Sequence, residues 1–393
     1  MKSDPVVILS ARRTPVGAFQ GAFATVTAPQ LGAVAIKAAV AEAGVKAAEV
    51  DEVIMGCVLS AGIGQAPARQ AAMAAGLPTS TPSTTVNKMC GSAMRAVMQG
   101  ADQILAGNAK VVVAGGLESM TNAPYLLPKA RAGYRMGHQE VLDHMFFDGL
   151  QSPWDGQLMG CFAEATSEKY AFTRQAQDEF AAESVRRALA AVNQGDFKAE
   201  IAPVTAKTRK GEVVVDKDET PFTLDVAKIP TLKAAFKKDG TVTAASSSSI
   251  SDGAAAVVLV RESFAAARNL KPLARILGYV SFAREPEWFT LAPVGAIQKL
   301  LAQLNWQAKD VDLYEINEAF AAVPMAAMKD LSLEHAKVNV NGGACALGHP
   351  IGATGARILT TLLHALKARG KKRGIASLCI GGGEATAIAV ELM

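Results

Sequence analysis

Over its first 120 residues the chain alternates short apolar runs with helix-spaced segments, and this alternation most narrows the folds open to it. The run PVVILSA (5–11) reads as a strand, and LGAVAIKAAVAEAG (31–44) carries apolar residues at helical spacing up to Gly44. VDEVIMGCVLS (50–60) is strand-like again. TPSTTVNKMC (81–90) leads into a second helical segment, GSAMRAVMQGADQILAG (91–107), and KVVVAGG (110–116) is a wholly apolar strand. Strands buried on both faces and separated by helices predict an α/β sheet covered by helices. Half of the 393 residues are apolar, enough for a sizeable core, and the length suggests two or three domains.

The pattern changes after residue 120. Residues 121–250 hold scattered aromatics (Tyr125, Tyr134, Phe146, Phe147, Trp154), a long helix TRQAQDEFAAESVRRALAAVNQG with Thr173 as its N-cap, a basic region and the run SSSS (246–249). This reads as a large insertion. AAAVVLVRE (254–262) returns to strand, and LARILGYVSFA (273–283) opens a second α/β unit that runs to the C-terminus. KVVVAGGLESM (110–120) and ASLCIGGGEATA (376–387) rhyme as strand followed by glycine turn, which suggests a duplicated domain. The expected division is 1–120 completed by 250–270, an inserted 121–249, and 271–393.

Several function classes are disfavoured. No run approaches the roughly 18 apolar residues of a membrane span, and the N-terminus lacks the apolar core of a secretory signal. A net charge of +4 is too mild for a nucleic-acid binder. Five cysteines without a CxxC pair point to a reducing compartment, the lack of a targeting segment favours a bacterial-type cytoplasm, and the five histidines lack metal-ligand spacing. The basic residues cluster, however: Lys198, Lys207, Arg209, Lys210, Lys217, Lys228, Lys233, Lys237 and Lys238. They form either a solvated surface or a field for an anionic substrate.

Three residues stand out for chemistry. Cys90 sits between a strand and the start of a helix, where free backbone N–H groups and the helix field favour a thiolate, although position alone also fits a buried structural cysteine. His349 lies in NGGACALGHPIGATGAR, whose glycines imply tight turns and close backbone approach. The segment is no GxGxxG fingerprint, so a dinucleotide site explains it poorly. Cys379 ends a strand ahead of Gly381, Gly382 and Gly383, a turn that can present N–H donors to an oxyanion. Asn317, where a strand gives way to a helix, can position a water or a carbonyl.

VNKMCGSAMRA (86–96), AGGLESM (114–120), GTVTA (240–244) with SDGAAAVVL (251–259), NEAFA (317–321), NVNGGACALGHPIGATGAR (339–357) and LCIGGGEA (378–385) together closely resemble the thiolase family, of the acetyl-CoA acetyltransferase type, from about residue 5 to the C-terminus. The resemblance implies a duplicated, five-layered α-β-α-β-α fold with an inserted loop domain for coenzyme A binding and tetramerisation. It implies Cys90 as the acylated nucleophile, His349 as its base and Cys379 as acid/base for the second substrate. Asn317, through a water, and His349 would form one oxyanion hole; the N–H groups of Cys90 and Gly381 would form the other. Ser248 would lie near the pantetheine, Phe236 and Phe320 would line the acyl pocket, and Met159 and Leu158 would lie beside it. Leu158 departs from the family's usual histidine, Ser246 from asparagine, Glu384 from glutamine or methionine, and Cys345 from an aliphatic residue.

The implied reaction is the reversible Claisen condensation of two acetyl-CoA to acetoacetyl-CoA, with coenzyme A as substrate and product and no cofactor or metal. A thiolase of broader chain length and a non-catalytic acyl-CoA- or lipid-binding relative are the alternatives; the second is expected to have lost one of Cys90, His349 and Cys379. A homotetramer, or else a homodimer, is expected, with PYLLPKARAGYRMG (124–137) as the assembly loop. Synthesis would feed C4 products such as polyhydroxybutyrate, and cleavage would serve fatty-acid breakdown.

Overall fold

The computed structural model describes residues 4–208 and 211–393; Arg209 and Lys210 of the basic cluster lie outside the described residues. The first unit contributes β1 (Val6–Arg13), β2 (Glu52–Gly56), β3 (Ser83–Val86), β4 (Val111–Ser119) and β5 (Ser251–Arg261). The second contributes β6 (Ala274–Ala283), β7 (Leu313–Ile316), β8 (Arg373–Ile380) and β9 (Glu384–Leu392). They form one ladder in the order β7-β8-β9-β6-β1-β5-β4-β2-β3, with the short strand Gly17–Ala18 pairing beside β5. Every residue of β4 is buried, which is why KVVVAGG carries no alternation.

The two units repeat one topology. In the first, β1 pairs antiparallel with β5 and β5 with β4, and β4, β2 and β3 then run parallel. In the second, β6 pairs antiparallel with β9 and β9 with β8; β8 and β7 run parallel, and a parallel bridge from Tyr314 to Val338 takes the outer place. The rhyming segments place their apolar halves on equivalent strands, β4 and β8, but the expected glycine turn is found only in the second: Gly115 and Gly116 lie inside β4, whereas the glycines 381–383 turn the chain from β8 into β9. The register pairs Val7↔Arg275 and Ile8↔Ala274 join the units across β1 and β6.

Helices fill the layers. α1 (Ala28–Ala43) starts with a capping box: Gln30 N–H donates to Thr27 Oγ1 while Thr27 N–H donates to Gln30 Oε1 (2.8 Å), and the helix stops at Gly44 (φ 70°). It packs with α2 (Pro67–Ala74) on one outer face. α3 (Ser92–Leu105) packs on the first unit's strands and directly against the last long helix, which lies on β7 and β8 and so occupies the middle layer with it. α4 (Met159–Tyr170) and α5 (Arg174–Gln194) belong to the stretch between β4 and β5. Thr173 caps α5 by accepting from Ala176 N–H (3.1 Å). α6 (Ala292–Leu304) and α7 (Ala322–Leu331) cover the second outer face, and α8 (Thr354–Ala368) is the central partner of α3. The result is the expected duplicated α/β fold in five layers.

Inserted residues are tied back to β1 by Arg13. Its buried guanidinium meets Glu200 (2.5 Å) and Asp218 (2.6 and 2.9 Å) and lies over the Phe197 ring. No described helix is long and apolar enough to cross a membrane. Among the described residues no group of three or more His, Cys, Asp or Glu is placed to hold a metal.

Candidate active site

Cys90 stands in a tight turn between edge strand β3 and helix α3. Met89, just before it, has φ 48°, a left-handed conformation that costs a non-glycine residue on the order of 1–3 kcal/mol. The turn is over-determined around that strain. Ser92 Oγ accepts from Lys88 N–H (2.8 Å) and donates to Met89 O (2.6 Å), and Asn87 Oδ1 accepts from Met89 N–H (2.9 Å). Gly91 packs on the side chain of Ile380, so the Cys90 turn lies against the end of the Cys379 strand. Lys88 and Glu384 form an ion pair across the same junction, which gives the unusual Glu384 a partner.

The backbone N–H groups of Gly381 and of Cys90 itself favour the charged form of the Cys90 sulfur. These are the two donors expected to form one oxyanion hole. The expected thiolate is not the resting form. Burial pushes the thiol up to about 11, outweighing the N–H groups that favour the anion, and nearby Glu118 pushes the same way. A helix N-terminus does not ionise this cysteine; a base has to take its proton.

His349 precedes α8 as Cys90 precedes α3. Its backbone N–H donates to Ser249 O (3.2 Å). The Thr354 hydroxyl gives its one proton to Pro350 O (2.8 Å), so the 2.6 Å contact with His349 Nδ1 must be donated by the imidazole. That assigns the proton to Nδ1 and leaves the lone pair on Nε2, which is buried and meets no described partner. Burial, and then the positive charge of Arg357, pull the histidine down to about 3. At neutral pH it is an uncharged proton acceptor.

Cys379, the second-last residue of β8, is fully buried, and its thiol is raised well above the usual range by burial and then by Cys90. It rests as a protonated acid. Asn317 follows β7, 2 % exposed, with its backbone N–H on Ser377 O (3.0 Å) and neither side-chain atom bonded to a described group. Such a buried, unclaimed amide suits a bound water or a substrate oxygen.

A cavity of about 360 Å³ opens beside these groups, and His349, Leu158, Met159, Phe236, Ser248 and Phe320 all line it. Phe236 and Phe320 meet edge to face at 5.9 Å, and Ser248 is fixed by its N–H on Ala319 O (2.9 Å). Cys90 packs with the cavity residues Met120, Leu150, Ile250 and Ile351, and Cys379 shares an apolar cluster with Phe320, Phe236 and Met159. Gly381 lies beside Met159. Thus His349 lines the cavity itself, while Cys90 and Cys379 share apolar clusters with residues of its wall. The described members of the basic cluster are all exposed; Lys233, Lys237 and Lys238 flank Ala235 and Phe236 on its wall.

Thr354 and Glu118 escaped the sequence reading. Thr354 sets the histidine tautomer. Glu118 accepts from the N–H groups of Val58 (3.1 Å), Leu59 (3.1 Å) and Gly352 (2.8 Å) and so clamps the His349 loop to the first unit. Burial holds Glu118 up at about 7. Glu318 accepts from Ser184 (2.7 Å), Asn339 (2.8 Å) and the N–H of Cys345 (3.0 Å), fixing the loop that carries Asn317. Both are carboxylates in otherwise apolar runs, a legible sign of a buried, bonded acid. Cys345 is buried in this clamp, as a structural role requires.

Comparison with known proteins agrees with the geometry. The thiolase N-terminal domain family matches residues 6–263, and the thiolase C-terminal domain family matches 270–392. The chain is 51% identical to an acetyl-CoA acetyltransferase of Cupriavidus necator, covering 98% of this chain and 99% of that one. It is 51% identical to the Escherichia coli acetyl-CoA acetyltransferase, covering 98% of each. The crystal structure of the Bacillus anthracis acetyl-CoA acetyltransferase superposes with a TM-score of 0.97 at 44% identity, covering 99% of both chains. The Acat5 thiolase from Ascaris suum in complex with coenzyme A gives 0.94 at 42% identity, covering 99% of this chain and 100% of that one.

Proposed function

This chain belongs to the thiolase family, and from that premise we propose that it is an acetyl-CoA acetyltransferase, interconverting two acetyl-CoA with acetoacetyl-CoA and coenzyme A through an acyl-Cys90 intermediate. The observation that carries the reading is the neutral His349, its Nε2 lone pair unclaimed by any described group, on the wall of an apolar cavity whose wall residues share apolar clusters with Cys90 and Cys379.

In thiolysis, His349 Nε2 takes the Cys90 proton and the sulfur attacks the 3-keto carbonyl. The Cα–Cβ bond breaks, and the acetyl-CoA enolate leaves with the Cys379 proton. Incoming coenzyme A returns a proton to Cys379, and its thiolate displaces the acyl group from Cys90, whose sulfur is reprotonated by His349. Condensation is the reverse. Charge builds on carbonyl oxygen in both halves, so two sets of donors are needed. The N–H groups of Cys90 and Gly381 form one; Asn317, through a water, and His349 form the other. Losing one such donor typically costs about 3–4 kcal/mol. The thioester is already activated, so the reaction calls for no cofactor or metal. Lys233, Lys237 and Lys238 supply positive charge near the mouth for the phosphates of coenzyme A, and Ser248 meets its pantetheine arm.

A second reading shares this chemistry. Leu158, with Met120, Phe146, Leu150, Ile250 and Ile351, makes the cavity wall apolar, which favours a 3-ketoacyl-CoA thiolase of broader chain length. CoA-dependent thiolysis of C4 to C10 3-ketoacyl-CoAs, followed by loss of 3-ketoacyl absorbance, separates the two. Preference for C4 supports the acetyltransferase, and equal or faster rates from C6 upward support the broader enzyme. Absence of turnover by folded protein at every length overturns both in favour of a binding protein. Exposed Tyr125 and Met136 in the 124–137 loop suit assembly into a tetramer, checked by light scattering; a dimer mass would reject that role. A cytoplasmic location is proposed on the free cysteines.

A further inference from the structure

One hydroxyl on the cavity wall is not used by this mechanism. Of the wall residues, only Ser247, Ser248, Ser249 and His349 carry a side-chain nitrogen or oxygen. Ser247 donates its hydroxyl proton to Thr243 O (2.7 Å). Ser248 is taken by the pantetheine arm in the proposed reaction, and His349 moves the Cys90 proton. Ser249 remains. The one hydrogen-bond partner described for its hydroxyl, Ser251 Oγ, stands 3.4 Å away, beyond the usual O–H···O length. Ser251 gives its own proton to Ser249 O (2.9 Å).

The run that carries this hydroxyl is laced between the loops that bear Asn317 and His349. On one side Ala321 N–H donates to Ser246 O (2.8 Å) and Ser248 N–H to Ala319 O (2.9 Å); on the other, His349 N–H donates to Ser249 O (3.2 Å). A Cβ built on Gly348 would stand 3.2 Å from Ser249 Oγ, so the hydroxyl lies against the residue before His349. Along the wall Ser249 therefore comes between the pantetheine contact, Ser248, and the base. A coenzyme A thioester lying along that wall presents its thioester group there, and the acceptor in that group is the carbonyl oxygen. We propose that Ser249 is a further catalytic residue, whose hydroxyl donates to the thioester oxygen beside His349 and the water of Asn317, where the enolate charge forms. This rests on the thiolase reaction proposed above, with the pantetheine arm at Ser248.

In condensation the Cys379 sulfur takes a methyl proton from the second acetyl-CoA, and the C–H electron pair moves onto the thioester oxygen. A hydroxyl fixed in a mostly apolar cavity becomes a stronger donor as that oxygen gains charge, so it lowers the barrier more than it tightens binding. Ser249 is preorganised for this. Its carbonyl accepts from both His349 N–H and Ser251 Oγ, which holds the residue in place before any substrate arrives. Acetylation of Cys90 is a different case. The attacked carbonyl then lies at the N–H groups of Cys90 and Gly381, and the Ser249 hydroxyl takes no part.

The experiment compares the full-length enzyme with Ser249→Ala, which deletes one oxygen and keeps the backbone links. Exchange of the acetyl-CoA methyl protons in deuterated water reports enolate formation. Mass spectrometry follows acetylation of Cys90 by acetyl-CoA, and steady-state thiolysis of acetoacetyl-CoA gives kcat and KM. Ser249→Ala should lose roughly tenfold or more in exchange and in kcat, with KM and the rate of Cys90 acetylation each within about twofold of wild type. Wild-type exchange in Ser249→Ala overturns the proposal. A raised KM at unchanged kcat also overturns it, because the hydroxyl then serves the pantetheine arm. Equal losses of exchange and acetylation overturn it too, as the mark of a disturbed loop. A wild-type enzyme that neither acetylates Cys90 nor exchanges the proton refutes the proposed reaction itself, whereas an active wild type matched by Ser249→Ala refutes the role of Ser249 alone.

Discussion

At the scale of single residues, the site depends on where protons rest. Cys90 and Cys379 hold theirs because burial disfavours thiolates, and His349 lacks one on Nε2 because Thr354 fixes the other nitrogen as donor. Thr354→Val removes the one acceptor for His349 Nδ1–H among the described residues and frees the ring to change tautomer. An unsatisfied buried donor costs about 1–3 kcal/mol, so kcat should fall about tenfold to a hundredfold with KM within about twofold. Thr354→Ser should restore it. A folded valine variant with wild-type kcat would show that the hydroxyl does not set the tautomer. The sequence displayed Cys90, His349 and Cys379 through their glycine-rich settings, but it gave no reason to single out Thr354. One threonine among several acquires this role only when the Pro350–Thr354 turn brings its hydroxyl to the imidazole.

At the scale of elements, the catalytic loops meet because α3 and α8 start almost in contact. Gly355, in the first turn of α8, lies against the backbone of Met94 in the first turn of α3, and a Cβ there would collide with Met94 N. Backbone cannot yield as a side-chain tip can. Gly355→Ala should therefore destabilise the fold by about 1–3 kcal/mol and lower activity by parting the two loops. Denaturant midpoints and kcat measured on the same preparation check this; unchanged values for both would mean that the helices adjust freely. The glycines of NGGACALGHPIGATGAR announced close approach in the sequence. Which backbone they approach is a pairing across more than 250 residues, and local pattern cannot specify it.

Considered as a whole molecule, the chain repeats one strand topology twice and closes the inserted stretch onto β1 through Arg13. That guanidinium is fully buried between Glu200 and Asp218, which hold it well above its ordinary value against the opposing effect of burial. Arg13→Leu would strand two buried carboxylates and should cost about 3–5 kcal/mol, read from urea unfolding. A cost below about 1 kcal/mol would mean that the insertion is held by its apolar contacts alone. The α/β class and the change of pattern after residue 120 were legible in the sequence alone, and Cys90, His349 and Cys379 were singled out there by their glycine-rich settings and by motifs that resemble the thiolase family, because periodicity, glycine turns and reactive side chains are local properties written residue by residue. The protonation states, the tautomer of His349 and the clamps of Glu118 and Glu318 were decided by the tertiary structure, because each depends on burial and on partners that only folding brings together.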